Sequence, residues 1–357
     1  MRARQLLSWL HRWLGILVSI WLVLVASTGT LLLYKTEFLQ WHYPQLALTE
    51  LPSFSTAGKV FDTYNSGYAY LPRADKPWIE VIDGAGNTHY HGTNGEHLLT
   101  REALSDWIDV AVQFHHHLLL HDLGKDVMGV LSLFTLVILI TGVIRWWPKH
   151  FNRRIFSVKW HMPWQKGFQM TLFQCHKTFG IVSLPAMLLG VVTGAAIMYA
   201  AFVSSSLSTL LPAERPLWGD ATYTVAGNAS GAQLPPARTW AERFQIAAQV
   251  FPDMTPALVS LPVQADGTVS MRLVYNGEWH PNGRSKLSFH AATGELVNQH
   301  DTRTSALGFQ LSQLIYPVHV AAVGGLAMLV VQIIGGLMLI VMPVTGVWFW
   351  LWRRRRR

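Results

Sequence analysis

Cysteine and charge are scarce in this sequence. Cys175 is the single cysteine among 357 residues, and only 13% of the residues are charged. One thiol excludes a disulfide framework within the chain and any zinc or iron–sulfur site built from several cysteines. The sequence also has no Gly-rich dinucleotide loop, no Walker motif and no arrangement typical of a serine or cysteine nucleophile. Electrons for any redox reaction must therefore come from a separate donor.

Long apolar runs are abundant instead. Half of the residues are hydrophobic, and four runs are long enough to cross a membrane, which takes roughly 20 helical residues. We predict a membrane α-helical protein with transmembrane helices at 1–34, 115–147, 175–203 and 316–352. The first run follows arginines, as a secretory signal does, but its length favours a retained anchor.

Acidic residues are missing from the three most basic segments. Residues 1–12, 145–177 and 353–357 contain three, seven and five Lys or Arg residues and no Asp or Glu. This is the positive-inside pattern. We therefore expect both termini, a loop at 148–174 and the basic tail at 353–357 to be cytoplasmic. The net charge of +8 then reflects the orientation of the chain in the membrane, and no nucleic-acid partner is expected.

Two self-alignments indicate a duplicated architecture. TGTLLLY at 28–34 falls on TGAAIMY at 193–199, and TGVIRWW at 141–147 falls on TGVWFWL at 345–351. The helices would then form two pairs that enter the membrane the same way round, as a parallel repeat.

The segments between paired helices, 35–114 and 204–315, are predicted to be α+β extracytoplasmic modules. Each is small for an independent core, so we expect them to lean on each other or on the helix ends. Within the second module, 204–239 is predicted to be a linker or an ordered loop.

Four histidines follow the same duplication. His11 and His176 begin the first and third helices on the inner side, and His115 and His319 precede the second and fourth helices on the outer side. Ionisable groups at membrane helix ends are functional hypotheses, and two imidazoles on packed helices suit the axial positions of haem iron. A single such histidine is equally well explained by a lipid head group as its partner. Four that obey the repeat favour two haem sites, one near each face.

A Thr-Gly pair recurs in every predicted helix. We expect each haem to take its ligands from one helix pair and to lie against glycines of the other, although small residues also line ordinary helix contacts. Gly15 and Gly180, one turn past their histidines, would leave room for a porphyrin, and Arg12 is placed either to pair with a propionate or to set orientation. The glycines of the four pairs are Gly29, Gly142, Gly194 and Gly346.

The outer histidine of the second helix lies in a cluster, FHHHLLLHDLG at 114–124. His115 is the predicted ligand because the repeat places it on His319. His117 and His121 are four residues apart and would share one helix face, as in a surface metal site; they either line an outer substrate surface or are solvated. An unbroken helix from His115 to Trp147 would be roughly 48 Å long, which would put the outer haem near or above the membrane surface.

Taken together, these motifs resemble the PepSY-associated transmembrane family. The stretches that carry the resemblance are LHRWLGI, FHHHLLLHDLG, CHKTFGI and YPVHVAAVGG, and KLSFHAATGELV is similar to the end of a PepSY module. The family includes iron-regulated proteins of the bacterial inner membrane, among them FoxB-type ferric-siderophore reductases. The family's usual LLLG is LLLH here, with His121 in place of the glycine.

The resemblance implies two haem b groups and an outward transfer of electrons that reduces a ferric siderophore in the periplasm. Its motif histidines correspond to His11, His176, His115 and His319. The electron donor, a quinol or a cytoplasmic flavoprotein, stays open.

Three other functions remain open. The protein would be a haem-bearing conduit to another acceptor, such as a periplasmic oxidoreductase or cupric ion, a haem-free regulator whose outer modules bind peptides, or a metal permease. The apolar runs at 12–34, 127–147, 178–203 and 320–352 contain no buried carboxylates to line an ion path, which argues against a permease.

Overall fold

The computed structural model describes residues 3–147, 162–213, 236–261 and 267–355. The chain divides into two compact units. The membrane unit comprises Met1–Tyr34, Val110–Ala200 and Val318–Arg357, and the sheet unit comprises Lys35–Asp109 and Ala201–Pro317. Much of the predicted loop at 148–174, most of the predicted linker at 204–239 and the end of the basic tail lie outside the described residues.

Twelve α-helices and eight strands are present in the described ranges. The helices are α1 Ala3–Leu32, α2 Lys35–His42, α3 Phe54–Phe61, α4 Trp107–His117, α5 His121–Trp146, α6 Phe168–Val182, α7 Leu184–Met198, α8 Ala200–Leu210, α9 Trp240–Val250, α10 Leu307–Ser312, α11 Ile315–His319 and α12 Gly325–Arg354. The strands are β1 Gly67–Tyr70, β2 Ile79–Ile82, β3 Thr88–His91, β4 His97–Arg101, β5 Met254–Leu261, β6 Thr268–Tyr275, β7 Ser285–His290 and β8 Leu296–His300.

Three helices, α1, α5 and α12, are long and apolar enough to cross a membrane, and α6 with α7 passes the same test as a pair bent by 64°. The bend lies at Ser183, and the first turn of α7 contains Pro185. Proline lacks the N–H that would continue the hydrogen bonding of α6. The third predicted helix, 175–203, is therefore bent, begins earlier than predicted and ends at Met198.

The surface of the membrane unit is apolar and its helix contacts use small residues. Leu17, Ile20 and Leu326 are 69%, 76% and 75% exposed, as expected of side chains that face lipid. A Cβ on Gly335 would lie 2.7 Å from the main-chain oxygen of Ala186, so only glycine allows α12 to approach α7 this closely.

The second membrane helix is interrupted near its N-terminal end. Helix α4 ends at His117 and α5 begins at His121, and φ is +53° at Leu118, +60° at Leu119 and +52° at His121. The prediction of one unbroken helix over 115–147 is wrong, because residues in the left-handed region cannot continue a right-handed helix. The predicted helix over 316–352 is likewise divided, into α11 and α12.

The substitution His121→Gly is expected to stabilise the protein by about 1 kcal/mol, because glycine adopts a positive φ without a Cβ clash. The thermal unfolding midpoint of the detergent-solubilised protein measures this effect. His116→Gly, in the last turn of α4, is the matched control and should lower the midpoint, since glycine is a poor helix former. A midpoint that falls for both variants would contradict the prediction.

The sheet unit contains one antiparallel sheet with the strand order β4-β3-β2-β1-β5-β6-β7-β8. The two predicted modules meet where β1 pairs with β5, with Tyr68 opposite Ser260. One buried cluster joins side chains of α3 and α9, including Phe61 and Trp240, to strand residues such as Met271. Because two small segments share this core, neither needs a large core of its own.

A buried ion pair stabilises one end of the sheet unit. Arg101 donates from Nε and Nη2 to the two carboxylate oxygens of Asp106, at 2.7 and 2.9 Å, and the two side chains are 5% and 6% exposed. Burial alone would raise the pKa of Asp106, but Arg101 and the first N–H groups of α4 hold that pKa well below its usual range.

We expect Arg101→Leu to lower the free energy of unfolding by about 3–5 kcal/mol, because it leaves a buried carboxylate without its partner. The pKa of Asp106 is lower in the folded than in the unfolded protein. Its contribution is therefore present above about pH 4 and is lost as the pH falls further. Denaturant unfolding of the wild type and of the variant at about pH 7 and about pH 2 measures both effects.

Lys125→Leu is the control for an exposed ion pair. The side chains of Lys125 and its partner Asp122 are 58% and 94% exposed. This substitution should change the free energy of unfolding by less than about 1 kcal/mol. Equal effects of the two substitutions would contradict the role of the buried pair.

Candidate functional site

The membrane unit brings the four predicted histidines together in two pairs. The ring centroids of His11 in α1 and His176 in α6 are 6.4 Å apart, with the ring planes at 78°. Those of His115 in α4 and His319 in α11 are 6.3 Å apart, with the planes at 25°. Each pair thus combines one histidine from each half of the chain.

The two pairs lie near opposite ends of α1. His11 is in the first turns of this helix, and the ring of His115 contacts Gly29 near its other end. The 18 residues between His11 and Gly29 span roughly 27 Å of helix. That distance is close to the thickness of a bilayer's hydrocarbon core, about 30 Å.

Each histidine is held by a threonine on a different helix, and the contact is made at Nδ1. The threonines are those of the four Thr-Gly pairs. The distances from Nδ1 to Oγ1 are 2.8 Å for His176 and Thr345, 2.9 Å for His319 and Thr193, 3.2 Å for His11 and Thr141, and 3.5 Å for His115 and Thr28.

Main-chain oxygens define which ring nitrogen carries the proton. Nδ1 of His11 lies 3.0 Å from the oxygen of Ile138, and Nδ1 of His115 lies 3.0 Å from that of Val25. A carbonyl oxygen can only accept, so Nδ1 carries the proton and Nε2 keeps its lone pair. An outer partner of this kind is the usual support of a metal-bound histidine.

The glycines of the Thr-Gly pairs make room for these imidazole rings. A Cβ on Gly29 would lie 2.5 Å from Cε1 of His115. On the other three glycines it would lie 3.2 to 3.4 Å from Cε1 of the facing histidine. The structure places histidine rings against these glycines, and a porphyrin beside them stays a prediction. The spacing of the residues in the sequence does not by itself predict this contact between glycine and histidine.

Three other predicted residues have no such contact with the pairs. A Cβ on Gly15 would meet no described atom within 4 Å, and a Cβ on Gly180 would lie 3.3 Å from Sδ of Met342. Arg12 is exposed, and its guanidinium lies 5.5 Å from the ring centroid of Trp13. Open space beside Gly15 is compatible with a bulky group next to His11.

The outer histidine cluster has a different geometry from the predicted one. The rings of His117 and His121 stack at 5.6 Å with planes at 19°, but they do so across the break between α4 and α5 and not on one helix face. Within the described residues, no group of three or more His, Cys, Asp or Glu side chains is arranged to hold a metal ion. A further metal at His117 and His121 stays a prediction.

The range matched by a family model includes this whole site. The model of the PepSY-associated TM region matches residues 8–354. The chain belongs to the PepSY-associated transmembrane family. Both histidine pairs and all four Thr-Gly pairs of this family member lie inside the matched range. Among curated proteins, no match was found.

The histidine pairs of this PepSY-associated protein fit a metal with an imidazole on each side. Two metal–nitrogen bonds of about 2 Å, together with two ring radii of about 1 Å, require centroids about 6 Å apart. The separations of 6.4 and 6.3 Å are close to that value. Two nitrogens per site leave the remaining positions of an iron for a porphyrin, so the donor set suits haem.

Proposed function

We propose that this chain is an electron-transfer protein of the bacterial inner membrane that holds two haem b groups and reduces a ferric siderophore in the periplasm. The observation that carries the proposal is the pair of sites at the two ends of α1, each with two histidines whose Nδ1 contacts a threonine on another helix. Haem bound there would supply one-electron redox chemistry.

The protein's own residues have three tasks in this proposal. His11 and His176 would bind haem at the inner site, and His115 and His319 would bind haem at the outer site. The threonines and main-chain oxygens keep each ring in one tautomer and one orientation. Gln332 positions the outer site, because its Nε2 donates to the main-chain oxygen of Val318 at 2.8 Å, one residue before His319.

Reduction is a reasonable way to release siderophore iron. Hard oxygen ligands hold the more highly charged Fe(III) more tightly than Fe(II). The addition of one electron to the iron therefore weakens its binding and leaves the siderophore molecule intact. A quinol or a reduced cytoplasmic flavoprotein is the proposed donor; each two-electron donor would reduce two Fe(III) ions and release its protons on its own side.

The proposed topology has both termini in the cytoplasm and residues 35–114 and 204–315 in the periplasm, with the two halves related as a parallel repeat. The separation of basic from acidic segments supports the orientation. The repeat is supported by equivalent backbone at His121 and Gly325, which have φ of +52° and +56° and lie 204 residues apart.

Anaerobic mixing of the dithionite-reduced, desalted protein with a ferric trihydroxamate tests the proposal. We expect the haem bands to return to the oxidised spectrum at a rate proportional to the chelate concentration, with Fe(II) trapped by a chromogenic chelator. The gallium chelate, which has the same shape and cannot be reduced, is the control and should leave the spectrum reduced. Oxidation by Cu(II) with no oxidation by any ferric chelate would instead support the conduit to another acceptor.

A further inference from the structure

The sheet unit contains a concentration of positive charge that the proposed function does not use. It lies at the connection between β6 and β7, where residues 280–283 form a turn in which Gly283 N donates to His280 O at 2.9 Å. Arg73 holds this turn, since its Nη1 donates to the oxygen of Pro281 at 3.0 Å and to Oδ1 of Asn282 at 3.2 Å. Arg284 follows directly. The turn therefore places two arginines next to His280.

Two buried donors in this cluster lack an acceptor. The N–H of Asn282 donates to Nδ1 of His280 at 3.2 Å, so the ring proton of the neutral imidazole is on Nε2. His280 is 3% exposed. Its Nε2, and Nε of Arg284, are buried without a hydrogen-bond partner among the described residues. Each unsatisfied donor costs about 1–3 kcal/mol, which an acceptor from outside the chain would recover.

The surrounding charges favour an anion as that acceptor. Burial, together with Arg284, Arg272 and Arg73, lowers the pKa of His280 to about 3, and burial and Arg272 lower the pKa of Arg284 to about 10. Burial is the larger cause of both shifts, and the neighbouring arginines add to it. Arg272 lies opposite Lys286 in the pairing of β6 with β7, and Lys286 is two residues after Arg284, so Arg272 is next to this turn.

Nearby carboxylates compensate this charge only in part. Burial raises the pKa of Glu278 to about 7, so its carboxyl is only partly ionised at neutral pH. Asp301 is paired with Arg303 at 2.7 Å. Asp75 forms an ion pair with Arg73 at 2.7 Å, and the side chain of Asp75 is 62% exposed.

One side of the cluster reaches the surface. Tyr316 stacks on His280, with ring centroids 5.3 Å apart and planes at 25°, and Tyr316 is 39% exposed. A ligand group can therefore approach His280 past an aromatic ring without opening the sheet.

We propose that His280, Arg284 and Arg272 form a binding site for an oxyanion, the carboxylate or phosphate group of a solute or of a lipid. Guanidinium groups bind these two groups through paired N–H donors, and the proton on Nε2 of His280 adds a donor that needs no charge. Arg73 positions the turn and contributes to the field. The site does not depend on haem or on iron reduction.

Calorimetric titration of the full-length protein with citrate and with inorganic phosphate tests the site. We expect at least one of these probes to bind, with affinity at least tenfold weaker in Arg284→Gln and in Arg272→Gln. Lys59→Gln removes the same charge from an exposed position of α3 and should change the affinity less than twofold. His280→Asn retains an uncharged donor and serves as a further variant if an arginine variant fails to fold.

Two lipid conditions separate the sources of the group. Equal affinity for citrate or phosphate in nanodiscs of neutral and of anionic phospholipid identifies a soluble ligand, whereas loss of affinity in anionic nanodiscs identifies a head group that occupies the site. No binding of either probe in neutral nanodiscs up to about 10 mM, or equal binding by wild type and by both arginine variants, would overturn the proposal.

Discussion

His11→Ala is expected to remove one of the two proposed haem groups from the purified protein and to leave the other unchanged. His176→Ala should remove the same haem, because both rings face one site at a centroid distance of 6.4 Å. His319→Ala should remove the other haem. The double variant His11→Ala/His176→Ala should therefore retain one haem, whereas His11→Ala/His319→Ala should retain none.

The reason is the number of ligands that each site offers. Two imidazoles meet at each pair, so the loss of one would leave a haem bound there with a single histidine ligand. The haem content per chain and the amplitude of the reduced-minus-oxidised spectrum measure the outcome. His290→Ala, a histidine of β7 in the sheet unit, is the control and should retain both haems. Independent losses from His11→Ala and His176→Ala would contradict the pairing.

The second large effect is expected at Gly29. Gly29→Ala should weaken outer haem binding at least tenfold, as changes in the support of a metal ligand typically do. The added methyl group would lie 2.5 Å from Cε1 of His115, so the ring must move away from Thr28 and from the oxygen of Val25. Titration of the apoprotein with haem, with the inner site removed by His11→Ala, measures the affinity of the outer site alone.

Gly15→Ala is the matched control on the same helix, because a Cβ there meets no described atom within 4 Å. Both substitutions raise the helix propensity of α1 equally, so any difference between them reports the contact with His115. Both variants are compared in the His11→Ala background, in which only the outer site would bind haem, so the proposed role of Gly15 at the inner site does not enter the comparison. Equal haem content and equal affinity in the two variants would show that the glycine is only a helix contact.

The sequence predicts which histidines form each pair, because the two members lie at equivalent positions of the repeat and near helix ends. Apolar runs fix where α1, α5 and α12 lie, and His11 and His176 start their helices at equivalent places. These are local or periodic features, and one sequence carries them directly.

The support of the histidines requires the packed structure. Thr345 and Thr193 are visible in the sequence as parts of recurring Thr-Gly pairs, but their bonds to His176 and His319 depend on how neighbouring helices pack. The positive φ at Leu118 and Leu119 was equally hidden, since leucine seldom adopts it. The pairing of β1 with β5 joins segments about 190 residues apart, which local patterns cannot specify.

One measurement tests the central claim most directly: the absorption spectrum of the wild-type protein, oxidised and then reduced with dithionite, with haem quantified per chain. We predict two haem b groups per chain, both with a low-spin oxidised spectrum, since two imidazoles would be available to hold each haem. Protein purified from cells with ample haem that shows no haem bands would contradict the assignment of His11, His176, His115 and His319 as haem ligands.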